Sequence, residues 1–433
     1  MSSLESSPAS QTDSTVSSQT SAQDKSSVSP VGVGAPKKST FAPLPPLPVI
    51  PAVGDIKFDF SFGCRVMFPR NGVPSHLTIY DADTENKIYD QDVNPGKDGA
   101  VITTFRKYFI RYRIEIESID RSIVRFSHTY DAKDRDVLVQ LPLGALGDTI
   151  AWFTPIEMFQ KRHGCRLHVR MTKFMADIFR KQYPDIHFIT DEEIGKTTFY
   201  AAYSIGLFFD QKSSENLQPC DFRLVGLHHQ AANILGVPPV EEPPRVDLSA
   251  PRTIKEKYVC IAFQSSAQCK YWNNPTGWYE VVKYLKENDY RVLCMDKDVS
   301  YGTPSVINRI PWGTEDFTGD HPIQERINII KDCDFFIGLS SGLSWLAWCC
   351  KVPVILISGF THPLTEFQTP YRVFNPKGCN SCWNDPSVQF DHKNFMWCPR
   401  HEKDARAYEC TKGITGKQVI DMIKMIQVRS LIS

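Results

Sequence analysis

A glycine turn that carries a carboxylate is the first place where the sequence suggests chemistry. The apolar segment VLVQLPL, 137–143, runs into Gly144-Ala-Leu-Gly147, and Asp148 follows at the start of a stretch that can form a helix. Backbone N–H groups at such a strand-to-helix turn favour anions, yet a phosphate there would be repelled by Asp148. We therefore expect the turn to receive an acceptor alcohol, with Asp148 as its general base.

Asp148 also has a structural alternative, because aspartate is a favourable helix N-cap. The segment Thr154-Pro-Ile-Glu157 has a helix-start pattern of its own, with a capping Thr, Pro at the first helical position and Glu three residues after the Thr. This pattern predicts that the regular helix begins near Thr154 and leaves Asp148 free in the turn. A carboxylate beside the positive end of a helix stays ionised and can accept a proton.

Three later segments offer groups suited to a nucleoside diphosphate. The loop 263–272 supplies hydroxyls and an ammonium that can neutralise a departing pyrophosphate. The segment 335–348 places a Ser-Ser-Gly turn at a helix N-terminus, which favours an anion. The segment 310–317 supplies a carboxylate that can accept hydrogen bonds from ribose hydroxyls. The predicted donor-binding residues are Gly147, Ser265, Ser266, Lys270, Trp312, Gly313, Glu315, Ser340, Ser341, Gly342 and Leu343. The alternatives are a solvated surface lysine at Lys270 and an ordinary serine cap at Ser340–Ser341.

Four of the 13 cysteines lie close together near the C-terminus. Cys379 and Cys382 are separated by two residues, and Cys398 and Cys410 follow. Four thiolates with this spacing suit a closed tetrahedral site for zinc or iron, with a structural role because no coordination position stays open. Spacing alone makes zinc the first choice, and four unrelated reduced thiols are the alternative.

The elements that must position these residues change along the chain. We predict a disordered Ser/Thr/Pro-rich tail over 1–55, and a β-rich docking domain over 56–135 from its alternating apolar pattern. Strand–helix alternation then predicts two Rossmann-like halves with a ligand cleft between them. The acceptor half covers 136–240, a proline-rich linker 241–253 and the donor half 254–433, with a four-cysteine finger at 379–410.

Composition excludes several classes of partner. Lys plus Arg equals Asp plus Glu, 49 each, so the net charge gives no support to nucleic-acid binding. The apolar run 352–358 is far shorter than the roughly 20 residues that span a bilayer. The N-terminus lacks the basic and apolar segments of a signal peptide, and scattered cysteines are typical of reduced thiols. These features predict a cytoplasmic protein with no membrane span.

Taken together, LPLGALGDTIAWFTP, SSAQCKYW, IPWGTEDF and IGLSSGLSWLA resemble the heptosyltransferases, inverting and metal-independent glycosyltransferases with the α/β GT-B fold. The resemblance implies that Asp148 is the general base, that Lys270 contacts the donor diphosphate and that Glu315 contacts the donor nucleoside. The family's last motif usually reads Asp-Thr-Gly-Leu-Ser-His, and this chain has Ser-Ser-Gly-Leu-Ser-Trp at 340–345.

The β-domain and the cysteine finger extend the resemblance to the bacterial autotransporter heptosyltransferases. This resemblance implies that the finger holds iron, with zinc as the alternative, and that the chain forms a ring-like homo-oligomer such as a dodecamer. It further implies transfer of heptose from ADP-heptose to serines of an autotransporter adhesin passenger, in the cytoplasm before export.

Two other functions fit parts of the sequence. A heptosyltransferase of the lipopolysaccharide core needs neither the β-domain nor the finger and works beside a membrane, yet the sequence has no basic amphipathic anchor. A non-catalytic GT-B scaffold would bind a partner through the β-domain and the finger. Asp148 and Lys270 argue against a scaffold, whereas Ser340 and Trp345, which depart from the family motif, favour it.

Overall fold

The computed structural model describes residues 45–142, 144–209 and 211–432. Most of the predicted tail lies outside these ranges, and residues 45–55 include a short strand that pairs with the next one along the chain. The first eight strands are β1 (Ile50–Pro51), β2 (Lys57–Ser61), β3 (Arg65–Phe68), β4 (Ser75–Asp81), β5 (Asn86–Val93), β6 (Ala100–Thr103), β7 (Tyr112–Glu117) and β8 (Val124–Thr129).

Four of these strands form an antiparallel sheet in the order β5-β4-β7-β8. In β7, the side chains of Tyr112, Ile114 and Ile116 are buried, and the charged residues between them are half-buried. This alternation places one face of the strand against the core. The antiparallel β-structure predicted for this part of the chain is confirmed.

The first Rossmann-like half shares its sheet with the remaining N-terminal strands. Its elements are β9 (Asp136–Gln140), α1 (Leu146–His163), β10 (Arg166–Arg170), α2 (Lys173–Phe179), β11 (His187–Phe188), α3 (Asp191–Ile194), β12 (Ala201–Ser204), α4 (Gln211–Leu217) and α5 (Leu227–Leu235). The strand order is β11-β10-β9-β12-β2-β3-β6, with β1 beside β2. Phe60 pairs in parallel with Ala201, so the proposed domain limit at residue 135 does not separate two sheets. The pairing satisfies strand edges that would otherwise be exposed.

The second half contains a doubly wound parallel sheet. Its elements are β13 (Tyr258–Ile261), α6 (Gly277–Glu287), β14 (Arg291–Cys294), β15 (Ser300–Thr303), β16 (Val306–Arg309), β17 (Glu315–Asp316), α7 (Ile323–Ile330), β18 (Phe336–Leu339), α8 (Gly342–Cys349), β19 (Val354–Ser358), β20 (Arg372–Phe374), α9 (Glu409–Lys412) and α10 (Gly416–Ile432). The order β17-β14-β13-β18-β19-β20 reverses between β13 and β18. Ligands of such sheets bind outside the carboxyl ends of the strands at this reversal. Strands β15 and β16 form a separate hairpin.

Burial agrees with helices on both faces of the second sheet. All five residues of β19 are buried, as are all four of β13 and of β18. Continuous burial along a strand is typical of parallel sheets covered on both sides. Within the described ranges, no helix has both the length and the apolar sequence that crossing a membrane requires.

Candidate functional site

The N-terminus of α1 differs from the sequence-based prediction. The helix begins at Leu146 instead of near Thr154, and Pro155 lies inside it. The Thr154 hydroxyl donates to the carbonyl of Glu242 at 2.8 Å and therefore does not act as a helix cap. The apolar stretch before Thr154 is buried in helical form, and this burial outweighs the backbone hydrogen bond that the proline removes.

Asp148 therefore caps the helix after all. It is the third helical residue, and its Oδ2 accepts a hydrogen bond of 2.9 Å from the N–H of Ala145. The prediction that this carboxylate is free in the turn is wrong. Among the described residues, Ala145 is the hydrogen-bond donor to this side chain, which leaves Oδ1 for other chemistry.

The electrostatic surroundings of Asp148 link it to the opposite half. The residue is half-buried by surface exposure, and desolvation raises the pKa of its carboxyl above the usual value. The Ala145 N–H and the positive charge of Lys270 both oppose this rise. Asp148 and Lys270 therefore lie close enough to interact, although 122 positions of sequence separate them.

Two glycines allow α1 and α8 to approach closely. A Cβ on Gly147 would lie 2.7 Å from Cδ1 of Trp345, and a Cβ on Gly342 would lie 2.6 Å from Cβ of Leu146. Contacts this short are repulsive, so only glycine fits at both positions. The structure thus gives Gly147 and Gly342 a packing role that joins the two helix N-termini, and their predicted contact with a donor stays a proposal.

The turn before α8 lies at the carboxyl end of β18, where the strand order reverses. Ser341 is the N-cap residue, but its side chain makes no capping hydrogen bond. The predicted alternative of an ordinary serine cap is therefore not what the structure shows. Leu343 is half-buried in the first turn of α8. The uncapped N–H groups of this turn can bind an anion.

Ser340 belongs to a polar chain that runs into the core. Its hydroxyl lies 2.9 Å from that of Thr361, and the Thr361 hydroxyl donates to Glu366. Glu366, which is buried, also accepts from the half-buried Arg372 at 2.9 Å. This chain fixes the orientation of Ser340 at the edge of the cleft.

The loop after β13 holds Ser265, Ser266 and Lys270 at the other side of the strand reversal. Lys270 ends a short 3₁₀ helix, Gln268–Lys270, and its Nζ lies 3.4 Å from the Ser266 hydroxyl. Ser265 is half-buried and Ser266 is exposed. The structure therefore brings Lys270 of this loop near Asp148, and the helix start that carries Asp148 near the α8 turn.

Asp296 is a residue of this site that the sequence analysis missed. It follows β14, is 3 % exposed, and accepts hydrogen bonds from the N–H groups of Phe263 at 2.7 Å and Gln264 at 3.2 Å. Burial raises the pKa of its carboxyl to about 6. Asp296 thus anchors the start of the Lys270 loop. The sequence signal for it is a carboxylate two residues after the largely buried strand RVLC.

The segment that holds Trp312 and Gly313 leads into the edge strand β17, in which Glu315 pairs with Leu293 of β14. Glu315 accepts hydrogen bonds from Arg291, the first residue of β14, at 2.6 and 2.9 Å. The carbonyl of Gly313 accepts from Lys286 in the last turn of α6, and Trp312 is 80 % exposed. Glu315 is thus held in an ion pair with Arg291, and the predicted contact of these three residues with the donor nucleoside stays a proposal.

The finger packs against the Lys270 loop. Aromatic side chains of residues 379–410 join Phe222, Phe360 and Cys269 in one buried cluster. The Gln268 N–H donates to the carbonyl of Phe395 at 2.8 Å. The predicted finger region is therefore attached to the donor half near the cleft.

The four finger thiols are near one another. Burial raises the pKa of Cys382 to about 11 and that of Cys410 to about 12, and the neighbouring thiols act in the same direction. The Tyr408 N–H donates to Sγ of Cys398 at 3.5 Å. Within the part of the chain that the structure describes, no three or more His, Cys, Asp or Glu side chains are arranged to hold a metal ion. The four-thiol donor set fits iron or zinc by its chemistry, and the metal site stays a proposal.

Two family models of known proteins match different parts of this chain. Residues 53–120 match the family model for the N-terminal domain of glycosyltransferase TibC, and residues 222–391 match glycosyltransferase family 9 (heptosyltransferase). Autotransporter heptosyltransferase BAHTCr of Citrobacter rodentium is 49% identical over 90% of this chain and 93% of its own length. A more distant relative, BimC of Burkholderia thailandensis, is named an inactive autotransporter heptosyltransferase and is 37% identical over 89% of each chain.

Solved structures agree with the sequence relatives. The structure of TibC from enterotoxigenic Escherichia coli, described as an iron-containing dodecameric glycosyltransferase, has a TM-score of 0.83 and 48% identity over 90% of this chain and all of that one. A second TibC structure, in complex with ADP-D-beta-D-heptose, has the same TM-score and covers 89% of this chain and 99% of that one. The predicted GT-B fold is confirmed, and the protein is a glycosyltransferase that belongs to the autotransporter heptosyltransferase family.

Proposed function

We propose that this protein transfers heptose from ADP-heptose to serine residues of an autotransporter adhesin in the cytoplasm, with inversion at the anomeric carbon. The observation that carries the proposal is the proximity of Asp148 to Lys270 and to the uncapped N-terminus of α8. TibC, which shares this fold at 48% identity, has been solved with ADP-D-beta-D-heptose.

The donor diphosphate is expected at the α8 turn and Lys270. The N–H groups of the α8 N-terminus and the Lys270 ammonium supply positive potential on one side of the cleft. Ser340, Ser341, Ser265 and Ser266 add hydroxyls around it. When the bond from the anomeric carbon to ADP breaks, both electrons leave with the diphosphate, and Lys270 stabilises the charge that develops.

The acceptor serine is expected beside Asp148. Its hydroxyl oxygen attacks the anomeric carbon from the face opposite the departing ADP, which inverts the configuration. Asp148 accepts the proton that this hydroxyl loses. Oδ2 stays bonded to the Ala145 N–H, so the cap holds the carboxylate in place while Oδ1 takes the proton.

We further propose that Cys379, Cys382, Cys398 and Cys410 hold a structural iron ion, as the description of TibC as iron-containing suggests. When bound, the metal would cross-link the finger through four thiolates and supply no open coordination position. The same description supports a homo-oligomeric ring for this chain, dodecameric in TibC.

A test of the iron proposal compares the wild-type protein with Cys382→Ser. We expect about one iron per wild-type chain by elemental analysis, and a red-brown colour from thiolate-to-iron charge transfer. Cys382→Ser should lose the metal and reduce soluble yield or assembly size, because three thiolates hold the finger less firmly. A colourless, zinc-loaded wild-type protein would overturn the iron assignment, and a metal-free protein with full assembly would remove the metal site.

The inactive relative BimC favours a second candidate, a non-catalytic scaffold. A lipopolysaccharide-core enzyme is less well supported, because residues 53–120 match the TibC N-terminal domain. The experiment that separates these functions incubates purified protein with ADP-heptose and a purified adhesin passenger. Release of ADP that requires the passenger supports the proposed function. Absence of ADP release under all conditions supports the scaffold, and release with a lipid acceptor alone supports the core enzyme.

A further inference from the structure

The ammonium of Lys270 faces three aromatic rings. Its Nζ lies 5.4 Å from the ring centroid of Phe360, 5.6 Å from that of Phe390 and 5.9 Å from that of Trp383. Among the described residues, no carboxylate lies within 4.0 Å of this ammonium, and its nearest hydrogen-bond partner is the Ser266 hydroxyl at 3.4 Å. The aromatic faces are therefore the main groups that fix its position.

The three rings form a nearly equilateral triangle. The centroids of Phe360 and Trp383 are 5.5 Å apart, those of Phe360 and Phe390 are 5.6 Å apart, and those of Trp383 and Phe390 are 5.7 Å apart. All three side chains are at most 8 % exposed. A buried triangle of this kind presents a rigid surface of negative electrostatic potential to a cation.

Two corners of the triangle belong to the finger. Trp383 directly follows the proposed ligand Cys382, and Phe390 lies between the two halves of the cysteine set. The Trp383 N–H donates to the carbonyl of Phe360 at 3.1 Å, which ties the finger to the loop after β19. Any shift of the finger would therefore move the surface on which Lys270 rests.

Hydrogen bonds tie the finger and the segment after it to the Lys270 loop on both sides of the lysine. On one side, the Gln268 N–H bonds to the Phe395 carbonyl at 2.8 Å. On the other side, Nδ2 of Asn273 donates to the Thr411 hydroxyl at 2.9 Å, and the Trp272 ring N–H donates to the Ile414 carbonyl at 2.9 Å. The finger region thus holds both the backbone and the side chain of Lys270.

We propose that Phe360, Trp383 and Phe390 are positioning residues that hold the Lys270 ammonium where it meets the donor diphosphate. The proposal rests on the proposed function, in which Lys270 contacts that diphosphate. It makes the finger part of the donor site as well as a structural element. A cation–π contact changes binding by about 2-fold at an exposed site and by about 30-fold at a desolvated one, and this range is the effect expected for loss of one ring face.

The test is a double-mutant cycle between Phe390→Leu and Lys270→Met, with ADP affinity measured by calorimetry. Leucine keeps an apolar side chain at position 390 and removes the π face. The conservative variant Phe390→Tyr keeps an aromatic ring there. The matched control is Phe395→Leu, because Phe395 lies in the same finger and packs on Tyr271 of the Lys270 loop without facing the ammonium. Melting temperature and iron content are recorded for every variant.

We expect Phe390→Leu to weaken ADP binding about 2- to 30-fold. Phe390→Tyr should bind ADP as the wild-type protein does, and Phe395→Leu should leave ADP binding nearly unchanged. In the Lys270→Met background, Phe390→Leu should have no further effect. Equal losses in both backgrounds would overturn the positioning role, as would unchanged affinity in Phe390→Leu. If Lys270→Met alone binds ADP normally, the proposed role of Lys270 fails and the positioning role fails with it. Should Phe390→Leu not fold, Trp383→Leu enters the same cycle with the same expected outcomes.

Discussion

Asp148→Asn is expected to lower the rate of heptose transfer by about 10²–10⁴-fold, the usual contribution of a positioned general base. Asparagine keeps the shape of the side chain and cannot accept the proton from the attacking serine. The amide oxygen can still accept from the Ala145 N–H at the position where Oδ2 now does. The helix cap should therefore survive, and the loss should fall on chemistry.

Calorimetry with ADP and initial rates with a passenger acceptor measure the two effects separately. ADP affinity should change little, because the proposed role of Asp148 is toward the acceptor and not toward the donor. The matched control is Glu193→Gln: Glu193 caps α3 in the same way, accepting from the Thr190 N–H at 2.7 Å. We expect that variant to keep full activity. Normal turnover in Asp148→Asn would exclude Asp148 as the base.

Lys270→Ala should slow transfer by about 10²–10³-fold, as expected when one stabilising group is removed from a charged transition state. It should also weaken ADP binding by about tenfold or more, because the diphosphate carries its charge in the ground state as well. Lys173→Ala is a suitable control, since Lys173 is exposed on α2 and pairs with Asp177 away from the predicted donor-binding residues. Unchanged ADP affinity in Lys270→Ala would place the lysine in another site.

The same variant should shift the pH dependence of kcat/KM. The base must be ionised, so activity falls as the pH drops through the pKa of Asp148. Burial raises this pKa and the positive charge of Lys270 lowers it. Removing that charge should raise the pKa further, and the acid limb of the profile should move to higher pH. A shift to lower pH would show that the two groups do not interact in this way.

Strand–helix alternation predicted the two Rossmann-like halves and the strand ends that form the cleft. The turns at Asp148, Lys270 and Ser341 were found because each directly follows a buried strand, and parallel strands place such turns along one edge. Long-range pairing was not predictable in the same way. Nothing local in the sequence of β2 indicates that it joins β12 of the next half.

The errors have identifiable physical causes. The pattern Thr154-Pro-Ile-Glu157 satisfies every local rule for a helix start, yet burial of the preceding apolar stretch extends α1 back to Leu146. Asp296, close to the carboxyl end of β14, was missed because its role depends on backbone N–H groups more than 30 positions away.

The intact mass of an adhesin passenger co-expressed with this protein tests the central claim most directly. The claim is that the cleft between Asp148 and Lys270 attaches heptose to the passenger. We predict a ladder of heptose-sized increments with the wild-type protein, no increments with Asp148→Asn, and the full ladder with the control Glu193→Gln. An unmodified passenger with the wild-type protein, or the same ladder with Asp148→Asn, would contradict this account.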